Sequence, residues 1–354
     1  MNKKILIISP YDAMSHRQWR EGIAAEFPQI TFTVVTLPPR YFAWRHRGNS
    51  LTLAFDTRLD QHFDLILATS MTDLSALKGM QPRLAAIPAI LYFHENQFAY
   101  PEANADQGQL ERQLTSIYSA VSADQLIFNS NYNRKTFLEG AGNLLKKMPD
   151  HVPAGIVNIL SEKAKVLPVP LNDDIYQTEQ RKDRFSIVWN HRWEYDKGLQ
   201  DLQEIIKSLL STDIDFIFHI IGQQFRRSPE IMQENIDILG THAGNIGFID
   251  SRTEYLALLA ASHMVLSTAE HEFQGLAVLE AVACGCVPVV PHRLVYPELF
   301  KEKYCYHDTS DAVERLISHA GQSAPDVSHL SWQAQRSAWQ KLFDRPLSQE
   351  VLRT

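Results

Sequence analysis

The chain has 354 residues, of which 45% are hydrophobic and 21% charged. That is too long for one ordinary core and suits two globular domains of about 150 to 200 residues each. No apolar run approaches the roughly 18 residues that span a bilayer, so a membrane protein is excluded as an expectation. The net charge of −7 argues against a dedicated nucleic-acid binder, but it is unevenly spread. Residues 1–170 hold 17 Lys and Arg against 15 Asp and Glu, a net of +2, and the remainder holds 17 against 26, a net of −9. An anionic acceptor would therefore approach the first half. Cys284, Cys286 and Cys305 are an odd count without metal-ligand spacing, which places the chain in a reduced compartment, the cytoplasm by default.

In chain order, the apolar run at residues 4–9 reads as a first strand and not as a signal peptide, since no cleavage-site pattern follows it. Further strands are predicted at 32–37, 65–70, 89–94 and 126–130, with amphipathic helical stretches at 17–27, 110–121 and 132–139. Alternation of strand and helix implies a parallel sheet covered on both faces. Pro168 and Pro170 cannot continue a helix or a central strand and mark a boundary. The pattern then restarts, with strands at 186–190, 216–222, 246–249, 264–268 and 288–291 and helices at 199–210, 231–239, 254–261, 276–284 and 312–319. A last helical pattern with large apolar residues runs from 332 to 343 and is expected to dock back on the rest of the protein. The expected domains are 1–168, 169–325 and a terminal segment 326–354. Two Rossmann-like domains facing a central cleft put weight on segments that directly follow strands.

Two such segments carry the chemistry of the second half. The run from Thr268 through His271-Glu272-Phe273-Gln274-Gly275-Leu276 to Glu280 follows a strand and opens a helix. Gly275 lets a ligand approach the backbone, and the free N–H groups of a helix start, with the helix dipole, suit a diphosphate. Glu280 lies in an apolar helix, where a carboxylate needs hydrogen-bond donors. A nucleotide-sugar offers them: ribose hydroxyls to one of Glu272 and Glu280, hexose hydroxyls to the other. The competing reading is a helix with an acid at its start and one solvent-facing Glu. In the loop after residues 186–190, Arg192 and Lys197 sit where two cations would neutralise a diphosphate leaving group, Arg as a fork and Lys as a point charge. Alternatively they pair with Glu194 and Asp196.

In the first half, His94-Glu95-Asn96-Gln97 ends a strand, and His94 suits either hydrogen bonding to a sugar or a structural role. Glu95 could be taken for a covalent nucleophile. Ser15 and His16 lie in a first loop without glycine, where their side chains would contact substrate, although Ser15 also suits a helix N-cap. Residues 38–47 interleave Arg40, Arg45 and Arg47 with Tyr41, Phe42 and Trp44, which suits an RNA loop, with bases on rings and phosphates on Arg. Lys146 and Lys147 form a second basic patch, and the same stretch, 144–148, is only a fragment of a basic amphipathic helix of the kind that lies on membranes.

The Glu272-x7-Glu280 spacing, the Arg192…Lys197-Gly198 loop and Gly247-Phe248-Ile249 at a strand end occur in the order seen in retaining nucleotide-sugar glycosyltransferases of family 4, which the chain resembles. Within that family it is similar to the tRNA-queuosine mannosyltransferases. This is carried most specifically by Tyr92-Phe93-His94-Glu95-Asn96-Gln97 and Leu294-Val295-Tyr296-Pro297-Glu298, with Tyr100-Pro101, His191-Arg192-Trp193-Glu194 and Cys284-Gly285-Cys286 alongside. The resemblance covers nearly the whole chain. It implies an α/β fold of GT-B type, with Arg192 and Lys197 on the diphosphate, Glu280 on the ribose, Glu272 on the hexose, and the backbone of Phe273, Gln274, Gly275 and Leu276 on hexose and phosphate oxygens. Gly247, Phe248 and Ile249 would meet the base. His94 would lie beside the transferred sugar, and Ser15, His16, Arg40, Trp44, Arg45, Arg47, Glu95, Asn96, Lys146 and Lys147 would meet the acceptor. The implied donor is GDP-mannose, the implied acceptor queuosine in the anticodon loop of tRNA, and the implied transfer is front-face and metal-free, with no further cofactor and no stable membrane association. A family 4 enzyme acting on a lipid, glycan or small molecule, and a non-catalytic nucleotide-binding protein of the same fold, are the competing readings; four intact polar residues, Arg192, Lys197, Glu272 and Glu280, weigh against the last.

Overall fold

The computed structural model describes residues 2–99, 108–177, 184–224 and 229–344. Of the readings above, Tyr100-Pro101 and the terminal stretch 345–354 lie outside the described residues. The chain divides into two compact units, residues 1–170 together with 335–354, and residues 171–334. The division falls two residues beyond the predicted boundary because the backbone of Leu171 is bonded to Leu330 and Trp332, which builds it into the second unit.

The first unit runs β1 (Lys4–Ser9), α1 (Met14–Glu26), β2 (Thr31–Thr36), α2 (Phe42–Leu53), β3 (Leu65–Thr69), α3 (Leu74–Met80), α4 (Pro82–Ala85), β4 (Ala89–Phe93), α5 (Gln109–Ser122), β5 (Gln125–Phe128), α6 (Asn131–Leu145), α7 (Ile156–Lys163) and β6 (Ala164–Val166). Its six strands are parallel, in the order β2-β1-β3-β4-β5-β6. Every residue of β3, β4 and β5 is buried. A strand covered by helices on both faces has no solvent side, so it reads as a continuous apolar run.

The second unit runs β7 (Ser186–Asn190), α8 (Leu199–Leu210), β8 (Ile217–Ile221), α9 (Glu230–Leu239), β9 (Ala243–Gly247), α10 (Arg252–Ala261), β10 (Met264–Leu266), α11 (Leu276–Ala283), β11 (Val287–Pro291), α12 (Tyr296–Leu299), β12 (Cys305–Tyr306) and α13 (Thr309–Ser318). The order β12-β11-β10-β7-β8-β9 is also all parallel. It is the doubly wound order of a dinucleotide-binding sheet. Its direction of winding reverses between β7 and β10, the place where such sheets bind ligands.

Helix α14 (Trp332–Asp344) returns to the first unit. Trp339 is fully buried and stacks on Tyr92 at 5.5 Å, and the buried Phe343 meets Phe27 edge-on at 5.2 Å. The carbonyl of Phe343 also accepts from Lys3 Nζ beside β1.

Three predictions change. Residues 42–47, read as part of an RNA-contacting loop, form the first half of α2. Helix α1 starts at Met14 with Ala13 as its N-cap and no side-chain cap, so Ser15 lies inside the first turn and does not cap it. The strand expected at 246–249 is β9, ending at Gly247, and this leaves Phe248 and Ile249 in the connection beyond it.

Candidate active site

Strand pairing explains why two distant segments of sequence meet. Because β10 pairs in parallel with β7, matching Leu266 to Trp189, the loops after these strands leave the sheet side by side. They are then pinned together. The Thr268 hydroxyl accepts from Trp189 Nε1 at 2.9 Å and donates to the Lys197 carbonyl at 2.6 Å, while the N–H groups of Glu270 and His271 both donate to the Asp196 carbonyl. Gly198 adopts φ +64°, and a Cβ there would lie 2.0 Å from the Thr268 carbonyl oxygen. Only glycine combines that backbone conformation with that approach.

This pinning holds Lys197 in place. Its ammonium is buried, donates to the His271 carbonyl at 2.7 Å, and lies 3.2 Å from Asp196 and 3.7 Å from Glu272. Glu272 Oε1 in turn accepts from the N–H groups of Phe273 (3.0 Å), Gln274 (3.4 Å) and Gly275 (3.0 Å). The carboxylate therefore folds back onto its own loop just before α11, whose N-cap Gly275 has no side-chain cap, and it occupies three N–H groups that were expected to serve hexose and phosphate oxygens. Gly275 makes the turn into the helix at φ +72°, where a Cβ would press on Tyr296 at 3.2 Å.

The electrostatics follow from burial. Burial works to raise the Glu272 carboxyl, but Lys197, His191 and the backbone N–H groups outweigh it and hold it at about 2. Asp196 is also held below the usual carboxylate range: burial opposes this, and the hydrogen bond from His271 with the charges of Lys197 and Arg192 prevails. His191 is pushed down to about 3, by burial first and by Lys197 next, and its Nε2 has no hydrogen-bond partner among the described residues. One buried cation thus stands between two ionised carboxylates and beside a neutral imidazole.

Arg192 differs from Lys197. Its side chain is 52% exposed and pairs with Glu194 at 3.0 Å. Both pairings proposed as the alternative to ligand binding, Arg192 with Glu194 and Lys197 with Asp196, are present. Glu280 does not depend on a ribose for its donors: Tyr255 donates to Oε2 at 2.8 Å, and Arg252 lies 2.9 Å from Oε1. Asn190, at the end of β7, donates to the Tyr255 hydroxyl at 2.7 Å and ties this group to the same sheet edge. Gly247 ends β9 and its carbonyl accepts from Gly222, while Phe248 is 46% exposed and Ile249 partly buried.

In the first unit, His94 directly follows β4 and lies against an aromatic wall. His16, one turn into α1, stacks on it at 4.1 Å, Trp19 meets it edge-on at 4.8 Å, and Tyr92 lies at 4.7 Å. His16 and Trp19 share a helix face by their spacing of three. His16 Nδ1 lies 2.8 Å from the Tyr11 carbonyl, so that nitrogen carries a proton. Burial, and then His16, holds His94 well below the usual histidine value, so it is neutral. Its Nε2 has no partner among the described residues.

The other acceptor candidates divide. Asn96 is buried, and its amide donates to Asn133 and Thr136 while its carbonyl accepts from Phe98, so it anchors the loop after β4. The Glu95 carbonyl accepts from Ser70, and its side chain is partly buried. Arg47 is drawn into ion pairs with Asp73 at 2.9 Å and Glu111 at 2.7 Å. Arg40, over the Tyr41 ring at 5.6 Å, and Trp44, 54% exposed, remain at the surface, as do Lys146 and Lys147 after α6; Arg45 and Ser15 are partly buried. The roles of Asp196, Tyr255, Arg252, Thr268 and Trp19 were not read from the sequence. Asp196 was within reach, as the acid adjoining Lys197; the others join the site through strand order or helix packing and carry no local signal.

Two parallel six-stranded sheets, one of them with a buried cation beside a carboxylate at its switch point, together with the family match of the second unit, make this a glycosyltransferase of GT-B fold. Residues 172–320 match the family described as glycosyl transferases group 1, and residues 4–171 match the one described as tRNA-queuosine alpha-mannosyltransferase N-terminal. The chain is 32% identical over 325 residues to the Drosophila melanogaster tRNA-queuosine alpha-mannosyltransferase, covering 89% of this chain and 86% of that one, and it belongs to that family. Among solved structures it is similar in fold to a UDP-forming alpha,alpha-trehalose-phosphate synthase from Burkholderia xenovorans (TM-score 0.68, 14% identity, 97% of this chain and 98% of that one). The Anabaena HepE protein in complex with UDP and glucose is similar too (TM-score 0.63, 15% identity, 96% and 95%). No helix among the described residues is long and apolar enough to cross a membrane.

Proposed function

We propose that this chain is a retaining enzyme of family 4 that moves mannose from GDP-mannose to queuosine in the anticodon loop of a tRNA, in the cytoplasm. The observation that carries the chemistry is the buried Lys197 ammonium between Asp196 and Glu272, in the loops that follow β7 and β10. The family match of the first unit carries the acceptor.

In the reaction, the bond from the mannose anomeric carbon to the β-phosphate oxygen breaks, and the queuosine hydroxyl forms the new bond on the same face. The departing phosphate takes the hydroxyl proton and leaves as part of GDP. Lys197 and Arg192 stabilise the charge that builds on the diphosphate, an electrostatic contribution set in place before reaction. Glu272, low enough in pKa to stay ionised, accepts from hexose hydroxyls, and Glu280, oriented by Tyr255 and Arg252, accepts from the ribose. Gly247, Phe248 and Ile249 line the base. No metal ion is needed in this scheme, because two side-chain cations serve the leaving group. Neutral His94, whose Nε2 has no partner among the described residues, offers a hydrogen bond to a sugar hydroxyl.

The test is to incubate the protein with labelled GDP-mannose and bulk tRNA from cells that can or cannot make queuosine. Label entering only the queuosine-containing pool supports the proposal. Equal labelling of the two pools, or none, overturns it, and donor hydrolysis without tRNA labelling directs the search to a lipid, glycan or small-molecule acceptor.

A further inference from the structure

One chemical cluster of the second unit has no part in the scheme above. Strands β11 and β12 pair in parallel, with Val290 opposite Cys305 and Pro291 opposite Tyr306. The next residues in that register are His292 and His307, and the His292 N–H continues the ladder by donating to the Tyr306 carbonyl at 2.7 Å. Two histidines thus leave neighbouring strand ends side by side, their rings 4.7 Å apart. Glu302, from the turn before β12, reaches between them: one carboxylate oxygen lies 3.0 Å from His292 Nε2 and the other 2.9 Å from His307 Nε2. The three potential ligand atoms all fall within 4.8 Å of one another.

We propose that His292, Glu302 and His307 bind a divalent transition-metal ion of the zinc class. Two imidazoles and a carboxylate are a donor set that Zn2+ takes, at about 2.0–2.2 Å per bond, with water completing a tetrahedron. Ligand atoms around such an ion stand about 3.3 Å apart. The two contacts to Glu302 are already near that, and small side-chain rotations close the remaining gap. On binding, each histidine ligates through Nε2 and carries its proton on Nδ1, so the present contacts of His292 and His307 with Glu302 give way to three metal bonds. The backbone supports the arrangement. Arg315 donates to the carbonyls of Glu302 and Lys303, and the His307 N–H donates to Asp311. Two neighbouring cations are engaged elsewhere: Arg315 holds Asp311 at 2.7 Å, and the Lys303 ammonium lies over the Tyr304 ring at 4.6 Å. All three ligands are exposed, so an ion in solvent reaches them without any opening of the fold.

The experiment is titration of the full chain, free of affinity tags, with Zn2+ alone, followed by calorimetry. His292→Ala, His307→Ala and the double variant are titrated in parallel, and circular dichroism confirms that each is folded. One-to-one uptake by the natural chain, weakened roughly tenfold or more by either single substitution and abolished in the double variant, supports the site. Absence of saturable uptake, or equal affinity in the natural chain and the double variant, overturns it.

Discussion

Lys197 and Arg192 look like equal cations in the sequence, and the structure makes them unequal. Removing Lys197 leaves Asp196 and Glu272 as neighbouring buried charges without their cation, and loss of one partner from a buried network costs about 3–5 kcal/mol. Lys197→Ala is therefore expected to abolish transfer and also to lower the melting temperature markedly. Arg192 is half exposed and pairs at the surface with Glu194, so Arg192→Ala is expected to change stability by about 0–1 kcal/mol while transfer falls by about 10²–10³-fold. Steady-state kinetics beside a thermal melt separates the two, and an Arg192 variant at full rate removes that residue from the diphosphate.

Buried neutral histidines, His94 among them, set an acid limit on stability. His46 is held at about 4, by burial first and by Arg112 next, and His191 at about 3. Both values lie below that of the unfolded chain, near 6.5, so between these limits the unfolded state binds more protons. Stability is therefore expected to rise with pH from about 4 to 6.5, by about 1.4 kcal/mol per pH unit for each histidine, and then to level off. Denaturant melts at pH 5 and 7 measure this, and His46→Phe is expected to remove one histidine's share of the slope, about 1.4 kcal/mol per pH unit.

At the scale of elements, α14 is the part whose role is most easily tested. Trp339 has no exposed surface and packs on Trp19 and Tyr92, so Trp339→Ala is expected to cost about 3–5 kcal/mol, read from a denaturant melt. Tyr92 belongs to the wall around His94, so loss of transfer should accompany loss of stability. A stable Trp339→Ala chain would show that the wall stands without the helix.

The same scale explains what could be read in advance. Buried parallel strands announce themselves as apolar runs, and β1, β3, β4, β7 and β11 were legible for that reason. Helix α2 was not: its buried face is made of His46, Gly48, Asn49, Ser50 and Leu53, too polar to show an apolar stripe. The strands β6 and β12, of three and two residues, are too short to carry a period. In the site, the meeting of Lys197 with Glu272 was legible from their places after strands, while Arg192 and Glu280 are found paired with Glu194 and with Tyr255 and Arg252. Tyr255 and Arg252 as donors to Glu280 depend on α10 packing beside α11, and no spacing along the chain shows that.

For the whole molecule, the uneven charge makes a claim about RNA. Binding of tRNA is expected to weaken with salt, and substituting Arg40, Lys146 and Lys147 by alanine should flatten the slope of log affinity against log salt by about one for each phosphate left without its cation. Filter binding across a salt series measures it. Neutralising changes to the exposed carboxylates of the more acidic second unit should leave the slope as it is.

The return of α14 to the first unit has a consequence for synthesis. The N-terminal segment emerges from the ribosome first, yet Trp19, Phe27 and Tyr92 lack their partners until Trp339 and Phe343 have been made. The second unit can close on its own while the first waits with an aromatic face open, a state in which chaperones find a client and stalled chains aggregate. A nonsense mutation in the last few codons of α14 would thus damage the half of the protein that was made first.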